Sequence, residues 1–362
     1  MIVGLPVLAP ALRDAHSLSL IQVGVVLDSL WVGTLLTLLP WGVLADRVGE
    51  RLVLATGLLA CGGALVGAGH AGSFASLIVL VGLAGAAGAS VNAASGRAVM
   101  QWFPAAERGL ALGVRQTAIP VGGFVSALVL PALSLRGAFV FLAALCAVGA
   151  LFGLVAIREP EGRAEDDVLE PRGLGATLRD HRLWLLCGGS SFYLVAQLAI
   201  TGFVVLFLHD KRGFSPGEAA AVLAGIQVVA AALRIGLGRW SDLLGSRLFP
   251  LRLIGLLSGG SLLATAAALV DAPAALLIAL FVLAGGFAMA WNGLSFTAAA
   301  EIAGRSRSGA ALGMQQSALA AAGAVVPPAF AAIVAASSWR LGFALAAVFP
   351  LAGVQLLKPL RS

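Results

Sequence analysis

The sequence predicts an all-α membrane protein built from two related halves of six helices each. Three observations support this prediction: an apolar composition, a row of membrane-length apolar segments, and a polar turn that occurs twice. Of the 362 residues, 60% are hydrophobic and 11% are charged, and the mean hydropathy is +0.99. A soluble domain usually has about a quarter of its residues charged. The chain has too few polar groups to cover a surface in water, so we expect it to lie in a bilayer.

Twelve apolar segments follow one another along the chain, and we interpret each as a helix. Their apolar residues are continuous, whereas transmembrane β-strands need alternating apolar and polar positions. The segments are rich in glycine and alanine, which suits helices that pack closely in lipid. The expected spans are 1–12, 19–43, 52–70, 74–102, 107–133, 136–157, 182–208, 216–239, 249–270, 274–300, 308–335 and 339–358.

The first segment is too short to cross a bilayer, because a span needs about 20 apolar residues. It aligns only with the outer part of segment 182–208, and its end at Arg13–Asp14 matches His209–Asp210 at a shift of 196 residues. We therefore expect a truncated first helix, with the native start upstream of Met1. A genuinely shortened first helix is the alternative.

A charged connector at 158–181 divides the chain near its middle into bundles at 1–157 and 182–362. The two parts repeat the same features. NAASGRAVMQ, which begins at Asn92, aligns with NGLSFTAAAE, which begins at Asn292, at a shift of 200 residues. Repeated halves are a known construction of secondary transporters, whose substrate site lies near the bilayer midplane between the repeats. We expect two pseudo-symmetric six-helix bundles with a cytoplasmic connector.

The clearest motif is a polar turn that occurs once in each half. GVLADRVGERL at 42–52 and GRWSDLLGSRL at 238–248 share five residues at a shift of 196. Gly49 and Gly245 permit tight turns, whereas Gly42 and Gly238 are expected to end their helices where a neighbouring helix approaches closely.

This turn resembles the cytoplasmic loop signature of the major facilitator superfamily, between helices 2 and 3 and between helices 8 and 9. The resemblance implies a transporter in which the loop acid contacts the start of a helix in the opposite half, where the helix carries about half a positive charge. On that basis Asp46 contacts the helix beginning near Ser308, and Asp242 the helix beginning near Arg108. The alternative is an ordinary charged turn that only sets topology. The implied gating residues are Gly42, Asp46, Arg47, Gly49, Arg51, Gly238, Asp242, Gly245 and Arg247.

The net charge of +6 does not indicate nucleic-acid binding, because the basic residues gather in short loops between spans rather than on one solvated face. Loops rich in Arg and Lys face the cytoplasm. We expect a multi-pass protein of the cytoplasmic membrane, with the turn at 42–52 inside and the lipid bilayer as its surroundings.

Asp28 lies in the middle of the second span. A carboxylate at membrane depth costs several kcal/mol and marks a functional site by default. Its counterpart in the second half is Ala224, so the scaffold does not require an acid there. Our hypothesis is that protonation of Asp28 is coupled to transport. The alternative is a permanently protonated side chain that is hydrogen-bonded to a neighbour.

Arg115 lies about two turns into the fifth span, in a predicted polar layer across the centre. A guanidinium suits carboxylate or phosphate groups, which favours an anionic substrate. An ion pair with Asp28 and snorkelling towards the inner side are the alternatives. The candidate substrate-binding residues are Arg115, Gln116, Asn92, Asn292, Gln315, Gln316 and Gln197.

Two other residues inside spans receive structural interpretations. Arg234 lies nearer the inner end of the eighth span and is interpreted as snorkelling or interfacial. Pro120 removes one backbone donor from the fifth span and is expected to kink it. Cys61, Cys146 and Cys187 lie in separate apolar segments with no paired spacing, which predicts neither a disulfide nor a metal site.

The function predicted from these features is secondary active transport of a small solute by alternating access, with an organic anion or polar metabolite as substrate and proton coupling as a hypothesis. Efflux of hydrophobic compounds and a non-transporting sensor that kept the fold are the alternatives. The sequence lacks HExxH, GxxxxGK and a Ser/His/Asp cluster, which argues against an enzyme or an ATP-driven pump. We expect no cofactor.

Overall fold

The computed structural model describes residues 2–102, 107–156, 171–304 and 307–360. At positions 46, 47, 93–102, 108, 109, 156 and 171–174 it describes the backbone alone. Every regular element in these ranges is a helix. Eleven helical segments of the described chain are long and apolar enough to cross a membrane. The predicted all-α membrane architecture is confirmed. We call the side of the turn at 42–52 the inner side, following the distribution of basic residues.

The described part of the first half contains eight α-helices, and a 3₁₀ turn at Leu130–Ala132 follows the seventh. The first predicted segment forms two short helices, which continue to His16, four residues beyond the expected end. The helices are α1 (Gly4–Val7), α2 (Ala9–His16), α3 (Leu20–Val48), α4 (Glu50–Ala68), α5 (Phe74–Trp102), α6 (Arg108–Gln116), α7 (Ala118–Val129) and α8 (Leu135–Ala156).

The second half begins with a short helix in the connector, whose residues 157–170 lie outside the described ranges. The helices are α9 (Pro171–Arg179), α10 (His181–Arg212), α11 (Pro216–Leu244), α12 (Leu248–Ala268), α13 (Ala274–Ala288), α14 (Asn292–Ala303), α15 (Ser308–Gly323), α16 (Val326–Ala336) and α17 (Trp339–Leu357).

Three further predicted spans are each divided into two helices. The break between α6 and α7 follows from Pro120, which has no N–H to donate to the carbonyl of Gln116 four residues earlier. The break between α15 and α16 precedes Pro327 at the start of α16. The break between α13 and α14, at 289–291, contains no proline and was not predicted, although Ala274–Ala303 still forms one membrane-length segment, as expected for 274–300.

The internal repeat is visible in the helix ends. Ser19 caps α3, where its Oγ accepts a hydrogen bond from the Gln22 N–H at 3.2 Å. Ser215 caps α11 in the same way, with the Glu218 N–H also at 3.2 Å. Each pair lies 196 residues from its counterpart, the shift that relates the two polar turns. The same capping pattern, a serine followed three residues later by Gln or Glu, therefore builds the same helix start in both halves.

The helices pack into two groups that meet along two seams. In the first group α5 packs against α3 and α4, and α4 packs against α8. In the second group α17 packs against α10 and α12, and α13 packs against α11 and α12. One seam joins α6 and α7 to α11, and the other joins α15 and α16 to α3. We call the first of these the α11 seam.

The surface and the interior differ as expected for a protein in lipid. Large apolar side chains such as Phe152, Val155 and Leu243 are exposed. Almost all of α10 is buried, which places this helix at the centre of the molecule. Cys61 and Cys146, which lie in separate segments of the sequence, are on the adjacent helices α4 and α8, with 3.8 Å between their sulfur atoms.

Candidate functional site

The polar turn of the second half contacts the first half at the inner side. Asp242, near the end of α11, accepts a hydrogen bond from the Leu110 N–H at 2.9 Å through its Oδ2. Leu110 lies in the first turn of α6, where backbone N–H groups have no partner within the helix and favour a negative charge. This is the contact that the family resemblance implied for Asp242. Its role in gating stays a prediction.

Arg247 holds Asp242 in place. Its guanidinium donates to Asp242 Oδ1, to Ser241 Oγ at 2.7 Å, and to Glu301 Oε1 at the end of α14 at 3.0 Å. Burial opposes the charge on Arg247, but the bonds and charges of Glu301 and Asp242 outweigh it and raise the pKa of Arg247. We call Asp242, Arg247, Glu301 and the Leu110 N–H the inner latch. Sequence reasoning missed Glu301, although it is an acid at the inner end of a predicted span.

The equivalent turn of the first half is only partly described. The side chains of Asp46 and Arg47 lie outside the described part, and so does the test of a contact between Asp46 and the helix at Ser308. That helix, α15, does begin at Ser308. Arg51, the counterpart of Arg247, is exposed. The gating role of this turn stays a prediction.

The backbone of Gly49 and Gly245 fits the predicted tight turns, whereas the helix ends predicted at Gly42 and Gly238 are not observed. Gly49 and Gly245 have φ angles of 95° and 63°, as tight turns require. A Cβ on Gly113 would lie 2.8 Å from the Arg234 carbonyl oxygen and 3.9 Å from Gly238 Cα, so α6 and α11 approach closely there. A Cβ on Gly42 would meet nothing within 4 Å among the described residues. The close approach expected there stays a prediction. The helix ends expected at Gly42 and Gly238 were wrong, because α3 and α11 continue to Val48 and Leu244.

Arg234 lies at the centre of the α11 seam and is 1% exposed. Its Nε donates to the Met289 carbonyl oxygen at 2.7 Å, its Nη2 to Asn292 Oδ1 at 2.7 Å, and its Nη1 to the Gln116 carbonyl oxygen. The sequence interpretation of Arg234 was snorkelling or interfacial. Snorkelling is wrong, because all three nitrogen atoms of the guanidinium are bonded inside the protein. The clue in the sequence was Pro120, which leaves the Gln116 carbonyl without a partner in its own helix.

The predicted polar layer separates into two clusters. Gln116, through its backbone, and Asn292 meet at Arg234. Gln315 instead donates to Ser190 Oγ at 3.3 Å and to Ser295 Oγ, and thereby joins α15 to α10 and α14. Ser190 and Ser295 also share a hydrogen bond. A single layer of all the candidates is not what the described contacts form.

The remaining candidates lie at separate positions. Asn92, Arg115 and Gln316 are half-buried. Gln197 on α10 is buried, and its Oε1 has no hydrogen-bond partner among the described residues. Asp28 is half-buried, and its buried Oδ1 likewise has no partner in the described part of the chain. The binding and coupling roles of these residues stay predictions.

A cavity of about 20 Å³ lies between α1, α3, α10 and α16, one turn from Asp28. This volume admits about one water molecule. Described contacts join helices on both the inner and the outer side. The inner latch joins α11 to α6, and a Cβ on Gly24 of α3 would lie 2.9 Å from the Pro327 carbonyl oxygen of α16. Arg13 of α2 also pairs with Asp210 of α10 at the outer end.

Comparison with known proteins identifies the family. Residues 2–298 match the family profile of the Major Facilitator Superfamily. The chain is 34% identical over 366 residues to the uncharacterized MFS-type transporter Rv2994 of Mycobacterium tuberculosis, and the match covers 99% of this chain and 81% of that protein. It is 26% identical over 356 residues to the probable sulfoacetate transporter SauU of Cupriavidus necator, covering 91% of this chain and 82% of that protein.

A solved structure gives the same result for the fold. The human organic anion transporter MFSD10 (TETRAN) superposes with a TM-score of 0.75 at 18% identity, covering 92% of this chain and 83% of that chain. Together with the profile match and the full-length relative, this shows that the chain is a multi-pass membrane protein and belongs to the Major Facilitator Superfamily of transporters.

Proposed function

We propose that the protein is a secondary transporter of the cytoplasmic membrane that moves a small organic anion by alternating access. The moving units are the bundles at 1–157 and 182–362. Two arginines beside Gln116 support the choice of an anion. Arg115 precedes Gln116 in α6, and Arg234 of α11 donates to the Gln116 carbonyl oxygen.

The two arginines have different exposures, which suggests different roles. Arg234 is sealed between helices, whereas Arg115 is half-buried, and we assign contact with the substrate to Arg115. A guanidinium offers paired donors that match a carboxylate or sulfonate. The similarity to a probable sulfoacetate transporter supports an anionic substrate, since sulfoacetate carries both groups.

Uptake into proteoliposomes tests the proposal. We expect the protein to take up sulfoacetate or a hexuronate but not an uncharged hexose of similar size. Arg115→Gln should reduce anion uptake by at least about tenfold, because one desolvated charge-assisted contact contributes about 1.5–3 kcal/mol. Arg340→Gln, which changes an exposed arginine at the outer end of α17, is the matched control and should leave uptake unchanged. Uptake of hydrophobic dyes alone would favour efflux, and no flux of any probe would favour a sensor.

Asp28 provides the proposed link to a proton gradient. Its buried oxygen has no hydrogen-bond partner among the described residues, so it is available to take up a proton at membrane depth. We expect Asp28→Asn to remove the dependence of uptake on an imposed proton gradient while downhill flux persists. Asp271→Asn, at an exposed outer loop, is the control. Uptake by Asp28→Asn that still responds to the gradient would exclude this role.

A further inference from the structure

Arg234 replaces two backbone donors that are missing at helix breaks. In a continuous helix the Gln116 carbonyl would accept from residue 120, but Pro120 has no N–H. The Met289 carbonyl lies at the end of α13, where the chain breaks before α14. Arg234 donates to both carbonyl oxygens, one from each half of the molecule.

The charge on Arg234 is matched by the same two helix ends. Gln116 is the last residue of α6, and Met289 is the C-cap of α13. A helix C-terminus carries roughly half a negative charge. Two such ends meet at one buried guanidinium, and Asn292 Oδ1 accepts from its third nitrogen. The arginine is therefore satisfied without a substrate, which distinguishes it from a substrate ligand.

Four contacts follow one another along the α11 seam from the inner to the outer side. Asp242 meets the Leu110 N–H at the inner end, and Gly238 lies against Gly113. Arg234 bonds to Gln116 at the centre. Gln227 lies against Gly123 on the outer part, where an added Cβ would be 2.7 Å from Gln227 Cδ.

The outer contact is poorly satisfied in this arrangement. Gln227 is 1% exposed, and neither polar atom of its side chain has a hydrogen-bond partner among the described residues. The described hydrogen bond across the inner end of the seam joins Leu110 to Asp242. At the centre, the bond from Arg234 to Gln116 crosses the seam, whereas the bonds to Met289 and Asn292 lie within the second half. Separating the centre would leave the Gln116 carbonyl without a donor, because Pro120 offers none in its own helix. At the inner end Asp242 keeps its ion pair with Arg247, and at the outer end Gln227 has no described hydrogen bond to lose.

We propose that Arg234 is the positioning residue at the fulcrum of the transport cycle: its bonds to Gln116 and Met289 persist while the inner and outer ends of the α11 seam open in turn. This inference rests on alternating access, as proposed above, but not on the choice of an anion. Lysine cannot substitute, because a single ammonium group cannot reach three acceptors that a planar guanidinium reaches together.

Distances between nitroxide labels at three levels of the seam test the fulcrum without any substrate. The labelled pairs join exposed residues of the two sides in a variant without Cys61, Cys146 and Cys187. They are Glu107 with Leu243 at the inner end, Val114 with Ile235 at the centre, and Leu128 with Ala221 on the outer part. We expect a single narrow distance for the central pair and broad or bimodal distances for the two end pairs, measured by double electron–electron resonance in nanodiscs. A central pair as broad as the end pairs would overturn the proposal.

A second-site change then separates positioning from simple structural support. Arg234→Gln should broaden the central distance and lower turnover by about tenfold, with KM for sulfoacetate changed less than about twofold. Pro120→Ala restores an N–H for the Gln116 carbonyl, so the double variant should recover a large part of both losses. Pro120→Ala alone should behave as the unchanged protein does. Arg234→Lys keeps the charge, so its central distance and turnover should lie between those of Arg234→Gln and the unchanged protein.

The results that would contradict a positioning role for Arg234 differ from those that would contradict anion transport. Equal losses with and without Pro120→Ala, or an increase of KM with turnover unchanged, would contradict a positioning role. If no anion is transported, the label distances and their recovery in the double variant still decide the inference. If Arg234→Gln does not fold, recovery of folding in the Pro120→Ala background supports it, and no recovery there opposes it.

Discussion

The two inner turns share a sequence pattern but differ in structure. In the first half a single residue, Gly49, separates α3 from α4, so Arg51 is already the second residue of a helix and is exposed. In the second half three residues separate α11 from α12, and Arg247 turns back to bond Asp242, Ser241 and Glu301.

The backbone of the two glycines accounts for this difference. Gly245 adopts a left-handed conformation, with φ 63° and ψ 19°, whereas Gly49 has φ 95° and ψ 155°. The first geometry makes a turn, and the second passes directly into the next helix. The duplicated motif therefore has a different backbone in each half, and Arg51 and Arg247 lie in different surroundings. We expect the side-chain variants of the second turn to have the larger effects.

The largest effect is expected for Arg247→Gln. The change leaves the buried Asp242 carboxylate and the partly exposed Glu301 without their common partner. Losing one side of a buried pair costs about 3–5 kcal/mol, and the exposure of Glu301 reduces this to about 3 kcal/mol here. Thermal unfolding in detergent measures the loss. Arg51→Gln is the matched variant and should change stability by less than about 0.5 kcal/mol. Equal losses would remove the difference between the turns.

The next largest effect is expected at the turn glycines, where the substitution in the first half should cost more than the one in the second half. Gly49→Ala should destabilise by about 2 kcal/mol, because φ 95° with ψ 155° is a region that only glycine occupies readily. Gly245→Ala should cost about 1 kcal/mol, since the left-handed region is less unfavourable for alanine. Both glycines have positive φ, so the comparison isolates the backbone region. A larger loss at Gly245 would contradict the geometry described for Gly49.

The smallest effect concerns the charge at the start of α6. Asp242→Asn keeps an oxygen for the Leu110 N–H but removes the negative charge that the helix start favours, so the inner latch should weaken by about 1 kcal/mol. The expected readout is a larger population of long distances between labels at Glu107 and Leu243. Asp46→Asn is the paired variant in the first half. An unchanged distribution for Asp242→Asn would exclude its role in closing the inner side.

Sequence reasoning predicted the features that depend on local pattern. Apolar length predicted the spans, and glycine placement predicted the tight turns at Gly49 and Gly245. The family motif predicted the contact of Asp242 with the start of α6. The central contacts depended on which helix faces which. Nothing near residues 289–291 signals a break. Arg234 was interpreted as snorkelling or interfacial because its depth was counted along one helix, without the neighbouring helix that approaches it.

The same limit explains the polar layer. Gln315 and Gln116 occupy equivalent regions of the two halves, yet Gln315 bonds Ser190 and Ser295 within its own half, while Gln116 is used through its backbone. Pro120 was the one residue near Gln116 in the sequence that indicated a contact through the Gln116 backbone. Its missing N–H was recognised as a source of a kink, but a missing donor also leaves an acceptor for a partner elsewhere in the chain.

Transport by opening of the inner side is tested most directly by measuring anion flux through a protein whose inner end is cross-linked. Cysteines at Glu107 and Leu243, in the background without native cysteines, are joined by a reducible cross-linker in proteoliposomes. We predict that sulfoacetate uptake falls to background when the cross-link forms and returns when the cross-link is reduced. Uptake that continues unchanged through the cross-linked protein would contradict transport by opening of the inner side.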